Sequence, residues 1–209
     1  MKRKAIALLI VVCLFVCICT PAVAYSEGSV GYATAVSATD WFSAFVDNNG
    51  GLWMAGRVDN IPGLTQGDRT VGVLEIQSVP VKIMDDVVSV SCGDEFGGAI
   101  KSDGTLWMWG RNNELQIGNG GEYEKEQNSS LYQGTPVMVL DQVAALSCGE
   151  YCTAAIRTDG SLWMWGSASG LPGNEKQSTP VKFMDDVSSV SCGEYYGAAV
   201  KTDGSLWVG

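Results

Sequence analysis

The sequence predicts an all-β protein built from repeated antiparallel sheets, and three observations carry that expectation. The 209 residues include 26 glycines among abundant Val, Ser, Thr and Trp, with few helix-forming runs, a balance that favours strands. One segment recurs as SCGDEFGGAIKSDGTLW ending at Trp107, SCGEYCTAAIRTDGSLW at Trp163 and SCGEYYGAAVKTDGSLW at Trp207, with a weaker copy, SATDWFSAFVDNNGGLW, ending at Trp53. Within each copy an Asp-Gly or Asn-Gly pair separates two short apolar runs: Asn49-Gly50, Asp103-Gly104, Asp159-Gly160 and Asp203-Gly204. Such pairs accept the positive φ angles of a tight hairpin turn.

Ahead of the repeats lies an address segment. Lys2, Arg3 and Lys4 precede an apolar run from Ala5 to Thr20, and Ala22-Val23-Ala24 supplies small residues, the pattern of a secretory signal peptide. The run is shorter than the roughly 20 residues a membrane-spanning helix needs. Cleavage is expected after Ala24, leaving residues 25–209; lipidation at Cys17 is disfavoured because Val16 stands where a small residue is wanted. Lys+Arg 13 against Asp+Glu 23 gives a net charge of −10. Loss of the leader removes three bases and no acid, which argues further against nucleic acid or an anionic membrane as partner. The chain has no histidine, so Ser-His-Asp and Cys-His pairs and His-based zinc sites are excluded.

The repeat units fall around 36–86, 87–142, 143–186 and 187–209. Each contains a Pro-Val pair, and Pro80 to Trp107, Pro136 to Trp163 and Pro180 to Trp207 all span 27 residues. All length variation therefore lies between each Trp and the next Pro, in one connection per unit, the mark of a repeat architecture with one variable face. Val87 to Gly93, Phe96 to Lys101 and Thr105 to Gly110 read as three strands, and the segment after Pro-Val, such as Val81 to Met84, as a fourth. Four short strands in such a unit match a β-propeller blade. Leu106-Trp107-Met108-Trp109 is apolar on both faces, as blades packed face to face require. Six of the seven tryptophans occupy equivalent positions, which favours inter-blade packing over a ligand-stacking platform.

The small-residue-Gly step, the Asp-Gly hairpin and Trp109-Gly110-Arg111-Asn112 leading to Leu115-Gln116-Ile117-Gly118-Asn119-Gly120 resemble repeats of the regulator of chromosome condensation family. The likeness covers nearly all of residues 36–209. Where the family commonly has His, this chain has Phe42, Phe96, Cys152 and Tyr196, which resembles a bacterial, secreted subgroup. Seven-bladed propellers are what the resemblance implies, so the chain is expected to hold three blades and the start of a fourth, either as a fragment or as part of a multi-chain ring. An open arc is expected to expose an apolar face and unpaired edges, and so to self-associate.

Few residues offer chemistry. Cys92, Cys148 and Cys192 are equivalent and read as small buried residues; Ala38 replaces them in one unit and no paired C-x-x-C occurs, against a metal site. Cys148 and Cys152 straddle a hairpin and could bridge. Asp85-Asp86, Asp141-Gln142 and Asp185-Asp186 recur before the first strand of a unit, as solvated corners rather than a catalytic dyad, which must converge on one substrate. Lys101, Arg157 and Lys201 read as solvated turn residues. No cofactor motif occurs. Binding is expected in the variable loops Arg57 to Ser78 and Arg111 to Gly134, with Glu122, Tyr123, Glu124, Lys125, Tyr132 and Gln133 as the contact residues. The expected function is an exported, non-enzymatic module that binds an extracellular or cell-surface protein through loops on one propeller face. One version is an inhibitor of an extracellular enzyme, as the resemblance to β-lactamase-inhibiting propellers implies; the alternatives are guanine nucleotide exchange and a propeller lyase or glycosidase.

Overall fold

The computed structural model describes residues 32–64, 75–121, 132–167, 175–194 and 196–209. The leader 1–24 and its cleavage position lie outside the described residues. Among the described residues, fifteen strands form three four-stranded sheets and one three-stranded sheet, each a meander in chain order. The first blade comprises β1 (Ala33–Ala38), β2 (Phe42–Asp47), β3 (Leu52–Arg57) and β4 (Ile76–Met84). The second is β5 (Val87–Cys92), β6 (Phe96–Lys101), β7 (Leu106–Arg111) and β8 (Tyr132–Leu140). The third is β9 (Val143–Cys148), β10 (Cys152–Arg157), β11 (Leu162–Gly166) and β12 (Gln177–Met184), and the last sheet is β13 (Val187–Cys192), β14 (Gly197–Lys201) and β15 (Leu206–Val208). All pairings are antiparallel, and the same register recurs at every central hairpin: Phe45 faces Trp53, Ala99 faces Trp107, Ala155 faces Trp163 and Ala199 faces Trp207. Among the described residues no helix is long and apolar enough to cross a membrane.

Two local readings of the sequence need correction. The fourth strand begins before the Pro-Val pair rather than after it, so Pro80 and Pro136 stand inside β4 and β8. Proline lacks a donor, but as the outer strand of each blade this one pairs on a single side and tolerates it. At the Asp-Gly turns only the glycine takes positive φ, near 80° at Gly50, Gly104, Gly160 and Gly204. Gly104 N–H donates to Lys101 C=O at 2.9 Å and Lys101 N–H to Thr105 C=O at 2.9 Å. That is a longer hairpin closed by a left-handed glycine, not a two-residue turn with both residues left-handed.

Blades are joined by a repeated staple. After β7 the chain runs through Asn112–Gly120 onto the third blade, where Ile117 is buried beside Trp165 in one apolar cluster. The Trp165 indole N–H and the Thr153 hydroxyl both donate to Gln116 C=O, at 2.9 and 2.8 Å. Gly120 N–H donates to Ser178 C=O, and Lys176 pairs with Glu114 at 2.6 Å. The first blade repeats the device: Ile61 packs with Trp109 of the second, and Gly63 N–H donates to Gly134 C=O. Burying an indole this completely contributes several kcal/mol, about 3–5 by the usual cost of truncating a core aromatic. Only Trp109 and Trp165 have that status; Trp53, Trp107, Trp163 and Trp207 are half-buried, so inter-blade packing holds fully for two of the six repeat tryptophans. In the last sheet Leu206 and Val208 are exposed, whereas their counterparts Leu106, Met108, Leu162 and Met164 are buried.

Candidate functional site

Of the residues expected to bind, Glu122, Tyr123, Glu124 and Lys125 lie outside the described residues. Tyr132 and Gln133 open β8. Gln133 is engaged in bracing: its Oε1 accepts from Asn119 Nδ2 at 3.2 Å and its Nε2 donates to Thr135 C=O at 2.7 Å. Both stand at the root of the loop rather than at its tip.

A different group of residues gathers at one end of the sheets. The inner strands β1, β5, β9 and β13 lie side by side, tied by a ladder in which a serine hydroxyl of one blade accepts the backbone N–H of the next. Ser37 takes Cys92, Ser91 takes Cys148 and Ser147 takes Cys192, at 2.9, 3.0 and 2.9 Å. Where these strands end, the backbones close in. A Cβ on Gly93 would lie 2.4 Å from Gly149 C=O, and one on Gly149 would lie 2.1 Å from Gly193 C=O, so only glycine fits at these two positions.

Around this narrow seam opens a depression of about 290 Å³, lined by Thr39, Asp40, Asp94 and Glu150 together with Cys92, Cys148, Cys192 and their glycines. Asp40, Asp94 and Glu150 occupy the same repeat position, one residue past the small-Gly step, and exposed Glu194 is its fourth copy. Asp94 accepts the Trp41 indole N–H at 2.8 Å. No cation pairs with Asp40, Glu150 or Glu194 among the described residues. The next residue of the second blade behaves differently: Glu95 is drawn inward between Arg111, at 3.1 Å, and Arg57, at 3.5 Å, while the Arg57 guanidinium stacks on Trp41 at 4.6 Å. The length-variable connections leave from this same end, since Arg57, Arg111 and Ser167 N–H groups donate to Trp41, Glu95 and Tyr151 C=O at 3.0, 2.9 and 2.8 Å. Sequence reading passed over the acidic ring, although its signal, an acid after every Ser-(Cys/Ala)-(Gly/Thr) step, is present in all four copies.

The thiols at the floor are not reactive in isolation. All four are free. Burial pushes Cys92 up to about 12 and raises Cys148 further, so both stay protonated and serve as small apolar side chains. Among the described residues no three Cys, Asp or Glu groups are placed to hold a metal ion. Cys152 lies beside Cys192 of the next blade, and that neighbour lowers its thiol.

At the opposite end the repeated carboxylates have a structural task. Asp103 accepts the Thr105 N–H at 2.9 Å and hydroxyl at 2.6 Å, and that hydroxyl accepts the Trp107 indole N–H at 2.9 Å. Asp159, Ser161 and Trp163 repeat the relay; in the first blade Asp47 takes Trp53 directly at 2.8 Å. Hydrogen bonds from the Ser/Thr or Trp side chain and the turn backbone hold Asp47, Asp103, Asp159 and Asp203 below the usual carboxylate range. Lys101 and Arg157 lie over Trp107 and Trp163, 5.5 and 4.6 Å from the ring centroids. At the corners Asp86, Gln142 and Asp186 take positive φ and their C=O groups accept Ser102, Thr158 and Thr202 N–H, while Asp141 pairs with Arg157 and Asp185 with Lys182.

Comparison with known proteins agrees with this geometry. Sequence profiles of the Regulator of chromosome condensation (RCC1) repeat match residues 87–116 and 103–156. The mitochondrial RCC1 domain-containing protein RUG3 of Arabidopsis thaliana is 28% identical over 139 residues, 64% of this chain and 30% of that protein. The human E3 ubiquitin-protein ligase HERC2 is 35% identical over 80 residues, 38% of this chain and 2% of that protein. Among solved structures, yeast RCC1 (Prp20) bound to Kap60 superposes with a TM-score of 0.70 at 17% identity, over 87% of this chain and 44% of that one. Human WBSCR16 gives 0.66 at 21% identity, over 85% and 47%. Prp20p of Saccharomyces cerevisiae, with a TM-score of 0.64 at 19% identity over 84% and 43%, is described with its binding to Gsp1p and histones. The chain thus spans less than half the length of each of these relatives.

Proposed function

The chain is a repeat protein of the regulator of chromosome condensation type, and from that premise we propose that it is an exported, non-enzymatic module that binds a cationic protein surface on the acidic end of its blades. One observation carries the reading: Asp40, Asp94, Glu150 and Glu194 stand at equivalent points around a rigid seam, at the end from which the length-variable connections also leave. A ring of like charges on fixed backbone, in which Asp94 accepts the Trp41 indole N–H and Asp40, Glu150 and Glu194 pair with no cation among the described residues, projects a negative potential that selects and steers a basic partner. Loops of differing length around it supply shape. The leader sequence supports export, and the lack of histidine supports binding without catalysis. One similar protein of this fold, yeast RCC1 (Prp20), is described with protein partners in two structures, Kap60 in one and Gsp1p and histones in the other. Inhibition of an extracellular enzyme is the concrete form this module takes if its partner's catalytic cleft is rimmed with Lys and Arg.

Affinity capture from culture supernatant and cell-surface extract tests the reading. One basic protein is expected to be retained, and to be released as ionic strength rises. Capture that ignores salt, or turnover of a polysaccharide abolished by a single acidic substitution, contradicts it.

A further inference from the structure

The repeat sets a rule at the seam that one blade breaks. The first residue of the second strand in a blade packs in the same apolar group as the cysteine of the next blade. Phe42 shares an apolar cluster with Cys92, and Phe96 shares one with Cys148. In the third blade that position is Cys152, fully buried, and by the same rule its neighbour is Cys192. The surrounding backbone confirms the approach: Glu150 N–H donates to Gly193 C=O at 3.2 Å, Cys192 N–H donates to the Ser147 hydroxyl at 2.9 Å, and a Cβ on Gly149 would lie 3.1 Å from Cys192 Cβ. We propose that Cys152 and Cys192 form a redox-active pair that closes to a disulfide between the third blade and the last sheet.

The two thiols lie side by side, and their interaction lowers Cys152 and, with burial, raises Cys192. Cys152 is thus the more acidic of the pair and Cys192 the less, while Cys92 and Cys148 remain protonated by burial. Cys192 borders the acidic depression and Cys152 lies behind it, so a small disulfide such as oxidised glutathione meets Cys192 first. Cys152, the more acidic of the two, gives its proton to solvent and takes that of Cys192; the Cys192 thiolate so formed attacks one sulfur of the oxidant and the other leaves as a thiolate. Cys152, deprotonated in turn, attacks Cys192 Sγ, the new S–S bond forms and the second thiolate leaves. The protein loses two electrons and two protons, and the disulfide oxidant becomes two thiols.

The test equilibrates the full chain in its native state with mixtures of oxidised and reduced glutathione, quenches with acid, alkylates in denaturant and maps the digest by mass spectrometry. Linked peptides carrying Cys152 and Cys192, assigned by fragmentation, with Cys92 and Cys148 alkylated, are expected. Cys152→Phe, which restores the residue type of the first two blades, and Cys152→Ser should both abolish the link; circular dichroism reports their folding, and the wild-type map decides the matter if neither folds. No disulfide at high oxidised glutathione, a link from Cys148 to Cys152, or a Cys192 link that survives in folded Cys152→Ser overturns the proposal.

Discussion

Both ends of the blades carry a carboxylate in every repeat, at one shared point at the seam end and, at the hairpin end, at one point in three copies with Asp47 two residues earlier in the first, yet the two sets do opposite things. At the hairpin end Asp47, Asp103, Asp159 and Asp203 are consumed by their own turns, accepting backbone, hydroxyl or indole donors two to six residues away. At the seam end Asp40, Glu150 and Glu194 hold no turn together and look outward, and the structure there is fixed by glycine backbones in close approach. Repetition by itself therefore does not distinguish a structural acid from an available one. The distinction lies in where each carboxylate's hydrogen bonds go.

That contrast can be broken by substitutions, beginning with the staples that hold the seam end together. Trp165→Ala removes the indole on which the Asn112–Gly120 connection rests, leaves Gln116 C=O without one of its two donors, and should cost about 3–5 kcal/mol in urea denaturation. Gly149→Ala, whose Cβ would meet Gly193 C=O at 2.1 Å, should cost about 3 kcal/mol, at the upper end for overpacking. Gly160→Ala at the hairpin end meets nothing nearer than 3.9 Å; its cost is confined to the left-handed backbone, about 1–2 kcal/mol. Equal losses at the two glycines would erase the claimed difference between an end braced by backbone contact and an end braced by turns.

Acid sharpens the comparison in a subtler way. The four hairpin carboxylates have folded values below their ordinary one, so the unfolded chain binds protons first as pH falls. Their contribution is complete above the unfolded value, near 4, and is lost as pH drops through the depressed folded values. The denaturation midpoint should thus hold steady down to about pH 5 and decline below it. Asp159→Asn should lower the neutral midpoint and flatten part of that decline. Asp40→Asn should leave the neutral midpoint where it was.

Much of the fold was legible because the repeat writes its own punctuation. Asp-Gly marks the hairpin, the small-Gly step marks the seam, and the fixed spacing from Pro to Trp marks the blade. The start of β4 and β8 was not, because a proline reads as a strand boundary and only the position at a sheet edge makes Pro80 and Pro136 acceptable within a strand. The two kinds of tryptophan look alike in Leu106-Trp107-Met108-Trp109; what separates them is a loop from the preceding blade that lands on Trp109 and not on Trp107. The acidic ring is written in four copies, but only the folded seam shows that its carboxylates, unlike those at the hairpins, hold no turn together. The pairing of Cys152 with Cys192 crosses blades and has no local signal, so hairpin proximity pointed to Cys148 instead.

The most direct measurement titrates the captured partner against three purified chains: wild type, Asp40→Asn/Asp94→Asn/Glu150→Gln, and Asp159→Asn. If the acidic end is the binding surface, the triple substitution weakens binding by an order of magnitude or more while its melting temperature stays within a degree or two of wild type. Asp159→Asn should lower the melting temperature and leave binding intact. Undiminished binding by the folded triple variant, or loss of binding by Asp159→Asn well below its melting temperature, would place the interface elsewhere.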